Sequence, residues 1–342
     1  MVKRIAPARL AALTLRISVV VSVAGFGVLG SGLRTNAKAT FTTFNPGGQF
    51  GTGAYAINDS GTVTGDYGYT ALNAHGFVRT SDGTITTFDP PNSTSTLPTS
   101  INDAGTITGL YYGGSDGSGF VRAADGMFTG FGVPDSWTYP ESINSKGAIT
   151  GFYEPSSGGV GTFVRSPGGK ITTINPVGSG EIVAYSINSS GKITGFYVYG
   201  SGNCHGFLAD VGGRFVTFDV PQARCTEGWG INDSDEIAGT YYDDNYATHG
   251  FIRSPKGTFT TFDDPKCLYP RVSRINNKGQ IAGVCSVGKR TVGFMRSAEG
   301  RFQTFHLPGS RYLEAPDINN KGMITGKFED TSGTYEGYVR TP

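Results

Sequence analysis

The sequence predicts an all-β fold, namely a seven-bladed β-propeller of four-stranded blades in which the N-terminal strand closes the last blade. Three observations lead to this prediction. An Ile-Asn pair occurs seven times at intervals of 42 to 44 residues, and each repeat holds four short apolar segments. The last repeat lacks a fourth segment, and an extra segment of that type precedes the first repeat. Such a period is typical of propellers and solenoids. The isoleucines of the repeated pair are Ile57, Ile101, Ile143, Ile187, Ile231, Ile275 and Ile318.

The four predicted strands of a repeat are clearest in the fifth repeat, at residues 229–231, 237–242, 250–253 and 258–262. An Asn-x-x-Gly turn follows the first strand in most repeats, with the Asn side chain accepting hydrogen bonds from the backbone. In the fifth repeat Asp235 replaces the glycine. Both faces of the strands carry apolar residues, which favours sheets that are packed on both sides, as stacked propeller blades are.

The two ends of the chain distinguish a ring from a linear solenoid. Residues 40–44 have the pattern of a fourth strand but precede the first Ile-Asn pair, whereas residues 337–340 have the pattern of a third strand with no fourth strand after it. A closed ring would pair these two segments, while a solenoid gives no reason for the complementary deficit. We therefore expect residues 40–342 to form one propeller domain, and we expect it to be a monomer.

Residues 1–39 have a different composition and read as a secretory signal peptide. Basic residues precede an apolar run at 17–29, and Ala37 and Ala39 suit a small-residue cleavage site. The apolar run is shorter than the roughly 18 residues of a membrane span. We therefore expect a secreted or periplasmic protein with no membrane span after cleavage. A retained membrane anchor is the alternative.

Removal of this leader changes the net charge. It carries six of the 28 basic residues and none of the 27 acidic ones, which leaves 22 against 27, a net charge of −5. Nucleic-acid binding requires a clustered Lys/Arg face. We therefore expect no nucleic-acid partner.

Four cysteines lie in the fourth to sixth repeats. An even number of cysteines in an exported chain indicates disulfides. Their positions relative to the predicted strands favour Cys204 bonded to Cys225 and Cys267 bonded to Cys285. Four isolated buried thiols are the alternative.

Three of the four histidines share one register, in the motifs that begin at His75, His205 and His249. The third strand lies two strand spacings, roughly 10 Å, from the innermost strand. Histidines there cannot converge on the centre of a ring, and a zinc site at His205 and His249 would need further ligands. We therefore expect these histidines to be structural, and we expect no metal and no cofactor.

The repeat diverges most where each fourth strand connects to the next first strand, on the face of a propeller that usually holds ligand sites. Arg274 and Asp317 directly precede an Ile of the repeated pair, where other repeats have a small residue. Two interpretations are open, an ion pair that braces the ring or a polar pocket shared with Arg271 and Glu314. The predicted ligand-binding residues are Trp229, Tyr269, Arg271, Arg274, Tyr312, Glu314 and Asp317.

This aromatic and charged set favours a non-catalytic binding protein for a polysaccharide or a surface protein. One alternative is a carbohydrate-active hydrolase or lyase that uses two of Glu141, Glu227, Glu314 and Asp317, which would have to lie roughly 5 to 10 Å apart. Another alternative is a scaffold for protein–protein interaction. The sequence leaves open whether the protein is an enzyme.

The repeats resemble the bacterial extracellular repeats of the HAF family through the motifs His-Gly-Phe-x-Arg, Thr-Thr-Phe-Asp-x-Pro and Ile-Asn-x-x-Gly-x-Ile-x-Gly. The resemblance covers residues 40–342. It implies export and a propeller-like repeat array, and it brings no catalytic residues. HAF units carry His-Ala-Phe where this chain has His-Gly-Phe, and the histidine is absent at Ser118 and Glu336.

Overall fold

The structure is a computed structural model that describes residues 39–47, 51–68, 73–113, 116–175, 180–199 and 202–342. These residues form 28 β-strands and no helix, so the all-β prediction is confirmed. Accordingly, no helix in the described ranges has the length and apolar character needed to cross a membrane. The predicted signal peptide lies outside the described residues except for Ala39.

Most repeats form one antiparallel sheet whose four strands pair in chain order. Four such sheets are β2–β5 (Thr52–Ile57, Val63–Gly68, Ala74–Arg79, Ile85–Phe88), β6–β9 (Ser95–Ile101, Ile107–Gly113, Asp116–Arg122, Phe128–Phe131), β10–β13 (Ser136–Ile143, Ile149–Pro155, Gly161–Arg165, Ile171–Ile174) and β22–β25 (Leu268–Ile275, Ile281–Val287, Arg290–Arg296, Phe302–Phe305).

The fourth and fifth repeats differ from this plan because they join into one eight-stranded sheet. A single parallel bridge between Cys204 and Cys225 makes the connection. Each half keeps the antiparallel pairing of the other sheets. The strands are β14–β21 (Glu181–Ile187, Ile193–Tyr199, Asn203–Ala209, Phe215–Phe218, Cys225–Ile231, Ile237–Tyr242, Thr248–Arg253, Phe259–Phe262).

The remaining sheet combines the two ends of the described chain. Its strand order is β1 (Thr40–Phe44), β28 (Tyr335–Thr341), β27 (Ile324–Glu329) and β26 (Asp317–Ile318). β1 is antiparallel to β28, in a register that runs from Thr40 opposite Thr341 to Phe44 opposite Gly337. The N-terminal strand therefore occupies the fourth-strand position that the last repeat does not supply itself.

The hydrophobic core lies between successive sheets. Ala56 and Phe88 of one sheet pack with Ile101, Ile107 and Phe120 of the next. The third strand of every repeat contributes a fully buried aromatic side chain to this core. These side chains are Phe77, Phe120, Phe163, Phe207, Phe251, Phe294 and Tyr338. Each sheet is thus buried through contacts with its neighbours, as the apolar residues on both strand faces predict.

A recurring cation–π contact also joins neighbouring sheets. An arginine at the end of the third strand stacks on the phenylalanine that ends the fourth strand of the preceding sheet, as Arg79 does at 5.0 Å from the ring centre of Phe44. Five further pairs repeat the contact, namely Arg122 with Phe88, Arg165 with Phe131, Arg253 with Phe218, Arg296 with Phe262 and Arg340 with Phe305. Where the contact is missing, both partners are replaced, by Ala209 and Ile174. The arginine and the phenylalanine of this contact therefore occur together or are absent together.

Candidate functional site

The Ile-Asn pairs build a circuit of hydrogen bonds around a cavity of about 200 Å³ that residues from all seven repeats line. The Nδ2 atom of each repeat's buried asparagine donates to the backbone carbonyl of the next asparagine, over 2.8 to 3.3 Å. The circuit runs through Asn58, Asn102, Asn144, Asn188, Asn232, Asn276 and Asn319, and Asn319 donates back to Asn58. The asparagines therefore link the first strands of all seven repeats.

The same asparagines hold the turns that the sequence predicts. Asn58 Oδ1 accepts from the backbone of Ser60 and Thr62, and Gly61 has a positive φ of 82°. Asp235 keeps this left-handed conformation, with a φ of 62°, where the fifth repeat lacks the glycine. The predicted turn chemistry is confirmed, including the tolerated departure.

Each long first strand contains a β-bulge just before the Ile-Asn pair. In β10 the register shifts between Pro140 and Ser142, which leaves Glu141 as the extra residue. The glycine of the Ile-Thr-Gly motif permits the bulge, because a Cβ atom on Gly151 would collide with the carbonyl oxygen of Tyr139. A bulge redirects a side chain. The extra residues in the six bulges are Tyr55, Thr99, Glu141, Tyr185, Trp229 and Ser273.

Arg274 and Asp317 line the cavity, but the structure does not pair them. Asp317 accepts from the backbone N–H of Ile57 at 2.9 Å and of Ile318 at 3.0 Å. Arg274 Nη1 donates to the carbonyl oxygens of Tyr185 and Trp229, at 3.0 and 2.8 Å. No ion pair within 4.0 Å connects these two described side chains. Backbone hydrogen bonds therefore hold the two charges in place, and the first of the two interpretations, an ion pair between them, does not apply.

Asp317 makes a hydrogen bond to the next sheet that serine side chains make in other repeats. Ser100 Oγ accepts from the backbone N–H of Ile143 at 3.2 Å, and Ser186 Oγ accepts from Ile231 at 3.3 Å. Asp317 makes the equivalent bond to the next sheet and adds a negative charge. The substitution therefore preserves the link between sheets while it changes the electrostatics of the cavity.

Burial raises the pKa of three carboxyl groups in this region above the usual range of carboxylates. Burial raises the pKa of Glu141 to about 7, although the nearby Arg274 acts in the opposite direction. Burial likewise raises the pKa of Asp317 to about 6, against the effects of Arg274 and of two backbone N–H groups. Asp66 also has a pKa raised to about 6 by burial, which Lys327 partly offsets. Such shifts are typical of functional sites, and they also occur in structural networks.

Two of the predicted ligand residues belong to a hydrogen-bonded cluster, the Tyr312 cluster, which consists of Tyr55, Asp66, Tyr312, Glu314 and Lys327. Tyr312 Oη donates to Glu314 Oε1 at 2.6 Å, and Lys327 Nζ lies 3.4 Å from Glu314 Oε2. Lys327 also lies 5.8 Å from the ring centre of Tyr55. The cluster spans the last and the first sheets.

Trp229 lies in a second aromatic group. Its ring stacks on Tyr185 with centroids 4.2 Å apart and an interplanar angle of 14°. Its Nε1 donates to Glu227 Oε2 at 3.2 Å. Burial raises the pKa of Tyr242 and of Tyr312, and Arg271 acts in the opposite direction on both, so its guanidinium lies within electrostatic range of both side chains.

Tyr269 lies at the start of β22, where its side chain is 48% exposed and its backbone has a left-handed φ of 53°. Six of the seven predicted residues therefore divide into two groups. Arg274 and Asp317 lie at the cavity, whereas Tyr269, Arg271, Tyr312 and Glu314 lie nearer the starts of the first strands.

Sequence reasoning missed Tyr55, Asp66, Tyr185 and Lys327 as members of these groups. A signal was present for two of them, because Tyr55 and Tyr185 occupy the second position before the Ile of the repeated pair, where the repeats vary widely. Asp66 and Lys327 lie on second strands and carry no comparable signal.

The three recurring histidines make local contacts on their own sheets. Each Nδ1 lies within 3.0 Å of an aspartate 14 residues further on, in the pairs His75 with Asp89, His205 with Asp219 and His249 with Asp263. Each ring also packs on a tyrosine of the second strand. These contacts give the His-Gly-Phe motif a structural explanation.

The predicted disulfides are present. Cys204 is bonded to Cys225, and Cys267 is bonded to Cys285. The first bond joins two repeats at the bridge within the eight-stranded sheet, and the second ties the start of β22 to β23. Among the described residues, Cys204, Cys225 and Glu227 approach one another closely enough to suggest a metal site. Both sulfurs are consumed by the disulfide, so this group offers only one carboxylate.

No protein-family model matches the sequence, and no curated protein matches it. Solved structures are similar in fold. A virginiamycin B lyase from Staphylococcus aureus aligns with a TM-score of 0.60 and 14% identity, over 89% of this chain and 100% of that chain. The β-propeller domain of the Trilobed protease from Pyrococcus furiosus, which has an open velcro topology, aligns with a TM-score of 0.60 and 8% identity, over 84% and 95%. The chain therefore has a propeller-type all-β fold.

Proposed function

We propose that the protein is an exported, monomeric, closed seven-bladed propeller of the HAF type that binds a polysaccharide without catalysing its breakdown. The asparagine circuit supports closure because it returns from Asn319 to Asn58. β1 supports it as well, since Phe44 packs edge-on against Phe77 of the next sheet and carries Arg79 over its ring. In this proposal the eight-stranded sheet represents two blades, which the Cys204–Cys225 bond holds together.

The binding proposal rests on the observation that the repeats differ mainly in their first strands. Side chains between the sheets recur, such as the buried third-strand aromatics. The first strands vary, and they bring Glu141, Tyr185, Trp229, Arg274 and Asp317 toward one another, as their stacking, hydrogen bonds and electrostatic coupling indicate. Stability alone would be served by repeating small residues at these positions. A ligand site would instead require different side chains on different blades.

The residues nearer the starts of the first strands, together with Trp229, suit a saccharide. Tyr269 and Trp229 offer flat apolar surfaces on which sugar rings can stack. Arg271, Tyr312 and Glu314 offer donors and acceptors for hydroxyl groups. Arg274 and Asp317 would bind a polar group of the ligand that reaches the cavity.

Export is supported by the two disulfides, because such bonds persist in oxidising compartments. The proposed signal peptide, residues 1–39, agrees with this compartment.

A panel of polysaccharides tests the binding proposal by thermal shift on residues 40–342, which we call the mature domain. We expect at least one polysaccharide to raise the melting temperature, and we expect Tyr269→Ala and Glu314→Gln to reduce that increase. Tyr199→Ala is the matched control, because Tyr199 is an exposed tyrosine outside the proposed set. An increase that persists in both site variants would contradict the proposed site.

Catalysis is the second candidate function, and the raised pKa of Glu141 to about 7 favours it. A carboxyl group that is protonated near neutral pH can act as a general acid. The carboxylates available for a hydrolase or a lyase are Glu141, Glu227, Glu314 and Asp317. Product release from the same panel, abolished by Glu141→Gln or Glu314→Gln, would establish this alternative. The absence of both thermal shift and product across the panel would favour a protein-binding scaffold.

A further inference from the structure

Two adjacent loops of the β22–β25 sheet expose apolar side chains. Leu268 and Tyr269, at the start of β22, are 53% and 48% exposed, and Val287, at the end of β23, is 40% exposed. Leu268 lies opposite Ser286 in the pairing of these strands, so the strand ends that carry the three residues lie side by side. Among the described residues, seven large apolar side chains are this exposed, and three of them lie here.

Covalent and backbone geometry hold these loops in place. Cys267, directly before Leu268, is bonded to Cys285, two residues before Val287. Tyr269 has a left-handed φ of 53°, which bulky residues rarely adopt. Such a conformation persists only where surrounding contacts enforce it. The exposure of these side chains is therefore built into the sheet.

Basic residues lie in the same two loops as the apolar side chains. Lys266, Lys289 and Arg290 are all exposed, and no ion pair within 4.0 Å engages them in the described part of the chain. Asp264 is the acidic residue of these two loops, and one of its oxygens accepts from the backbone N–H of Lys266 at 2.7 Å. Because charges are screened over about 8 Å at physiological ionic strength, a contacting surface would sense this local positive charge more strongly than the net charge of the domain.

We propose that these loops, residues 264–271 and 286–291, dock onto an anionic lipid bilayer. Leu268 and Val287 enter the apolar boundary of the bilayer, Tyr269 lies at the level of the headgroups, and Lys266, Lys289 and Arg290 contact anionic headgroups. Aliphatic tips that share their loops with cations match a bilayer better than a saccharide, since Leu and Val offer a sugar neither a flat ring nor a hydrogen bond. The proposed bilayer surface borders the saccharide site and shares Tyr269 and Arg271 with it, while Leu268, Val287, Lys289 and Arg290 belong to the bilayer surface alone.

Sedimentation with lipid vesicles tests the proposal. We expect the mature domain to bind vesicles of phosphatidylcholine mixed with phosphatidylglycerol, to bind pure phosphatidylcholine weakly, and to dissociate as salt is added. Each basic residue near an anionic surface strengthens binding about fivefold, so Lys289→Gln combined with Arg290→Gln should weaken binding about 25-fold. Leu268→Ser combined with Val287→Ser should also weaken it.

Control variants lie on the turns between third and fourth strands. Val211→Ser removes an exposed valine from the turn between β16 and β17, and Lys256→Gln removes an exposed lysine from the turn between β20 and β21. Both should bind vesicles like the unaltered domain. Equal binding to neutral and anionic vesicles, or unchanged binding by the loop variants, would overturn the proposal. Binding of an acidic polysaccharide through the same residues, without vesicle binding, would overturn it as well.

The saccharide proposal and the bilayer proposal can be tested separately. None of Leu268, Val287, Lys289 and Arg290 belongs to the proposed saccharide residues. Loss of saccharide binding in Glu314→Gln with intact vesicle binding, and the reverse in the loop variants, would show that the two binding activities depend on different residues.

Discussion

Replacement of Glu141 by glutamine should stabilise the protein at alkaline pH and leave its stability unchanged in acid. The carboxyl group has a pKa of about 7 in the folded chain, compared with 4.5 for an ordinary glutamate. A folded pKa above the unfolded one means that the native state binds the proton more tightly. The contribution of Glu141 to the free energy of unfolding is therefore fully present below pH 4.5, and it is lost as the pH rises through about 7. Glutamine has the shape of the protonated acid and does not titrate.

The magnitude follows from the two pKa values. At 1.36 kcal/mol per pH unit, the difference between 4.5 and about 7 destabilises the native state above pH 7 by about 3 kcal/mol. A domain of roughly 300 residues unfolds with an entropy near 0.6 kcal/mol/K, so 3 kcal/mol corresponds to about 5 °C in melting temperature. Glu141→Gln should thus melt about 5 °C above the unaltered protein at pH 8, and within about 1 °C of it at pH 4.

Scanning calorimetry across this pH range measures the difference between the two proteins. Glu181→Gln is the control, because Glu181 is an exposed glutamate at the start of the next first strand. That variant should show the same offset at both pH values. An offset for Glu141→Gln that does not change with pH, or a loss of stability at pH 8, would refute the assigned protonation.

Three further perturbations have expected outcomes. Deletion of residues 40–46 should lower the melting temperature by 5 °C or more, because it removes buried Phe44 and exposes the edge of β28; an unchanged value would argue against closure. Serine at both Cys204 and Cys225 should cost about 3 kcal/mol in chemical denaturation, for a loop of 21 residues. Burial lowers the pKa of His249, but hydrogen bonds to Asp263 and Asp243 outweigh it and raise the pKa, so Asp263→Asn should destabilise the protein at pH 5.5 and have little effect at pH 8; equal effects would exclude a charged histidine.

The sequence was sufficient to predict the strands because the same local chemistry recurs in every repeat. The fifth repeat illustrates the agreement. Residues 237–242 form β19 as predicted, and residues 229–231 form only the end of β18, which begins at Cys225. The start of a first strand is harder to predict than its end. The Ile-Asn turn marks the end in every repeat, whereas the connection before each first strand has its own sequence.

The candidate site was only partly predictable, and the bulges explain why. A bulge shifts the alternation of side chains by one residue, so a regular strand pattern assigns Glu141 and Tyr185 to the wrong face. The signal for the bulge lies on the neighbouring strand, in glycines such as Gly151 that admit the displaced carbonyl. The arginine–phenylalanine pairs were not predictable for a similar reason, because the two residues of each pair belong to successive repeats. The sequence marks Arg274 as exceptional, but its bonds to the carbonyls of Tyr185 and Trp229 depend on three-dimensional proximity.

Product analysis during saccharide binding tests the central claim most directly. The mature domain is incubated with the polysaccharide that gives the largest thermal shift, and the saccharide is then examined by chromatography. Binding without catalysis predicts a saturable shift and complete recovery of intact polysaccharide. Shorter products that accumulate with time, and that disappear in Glu314→Gln, would contradict the account and identify the protein as an enzyme.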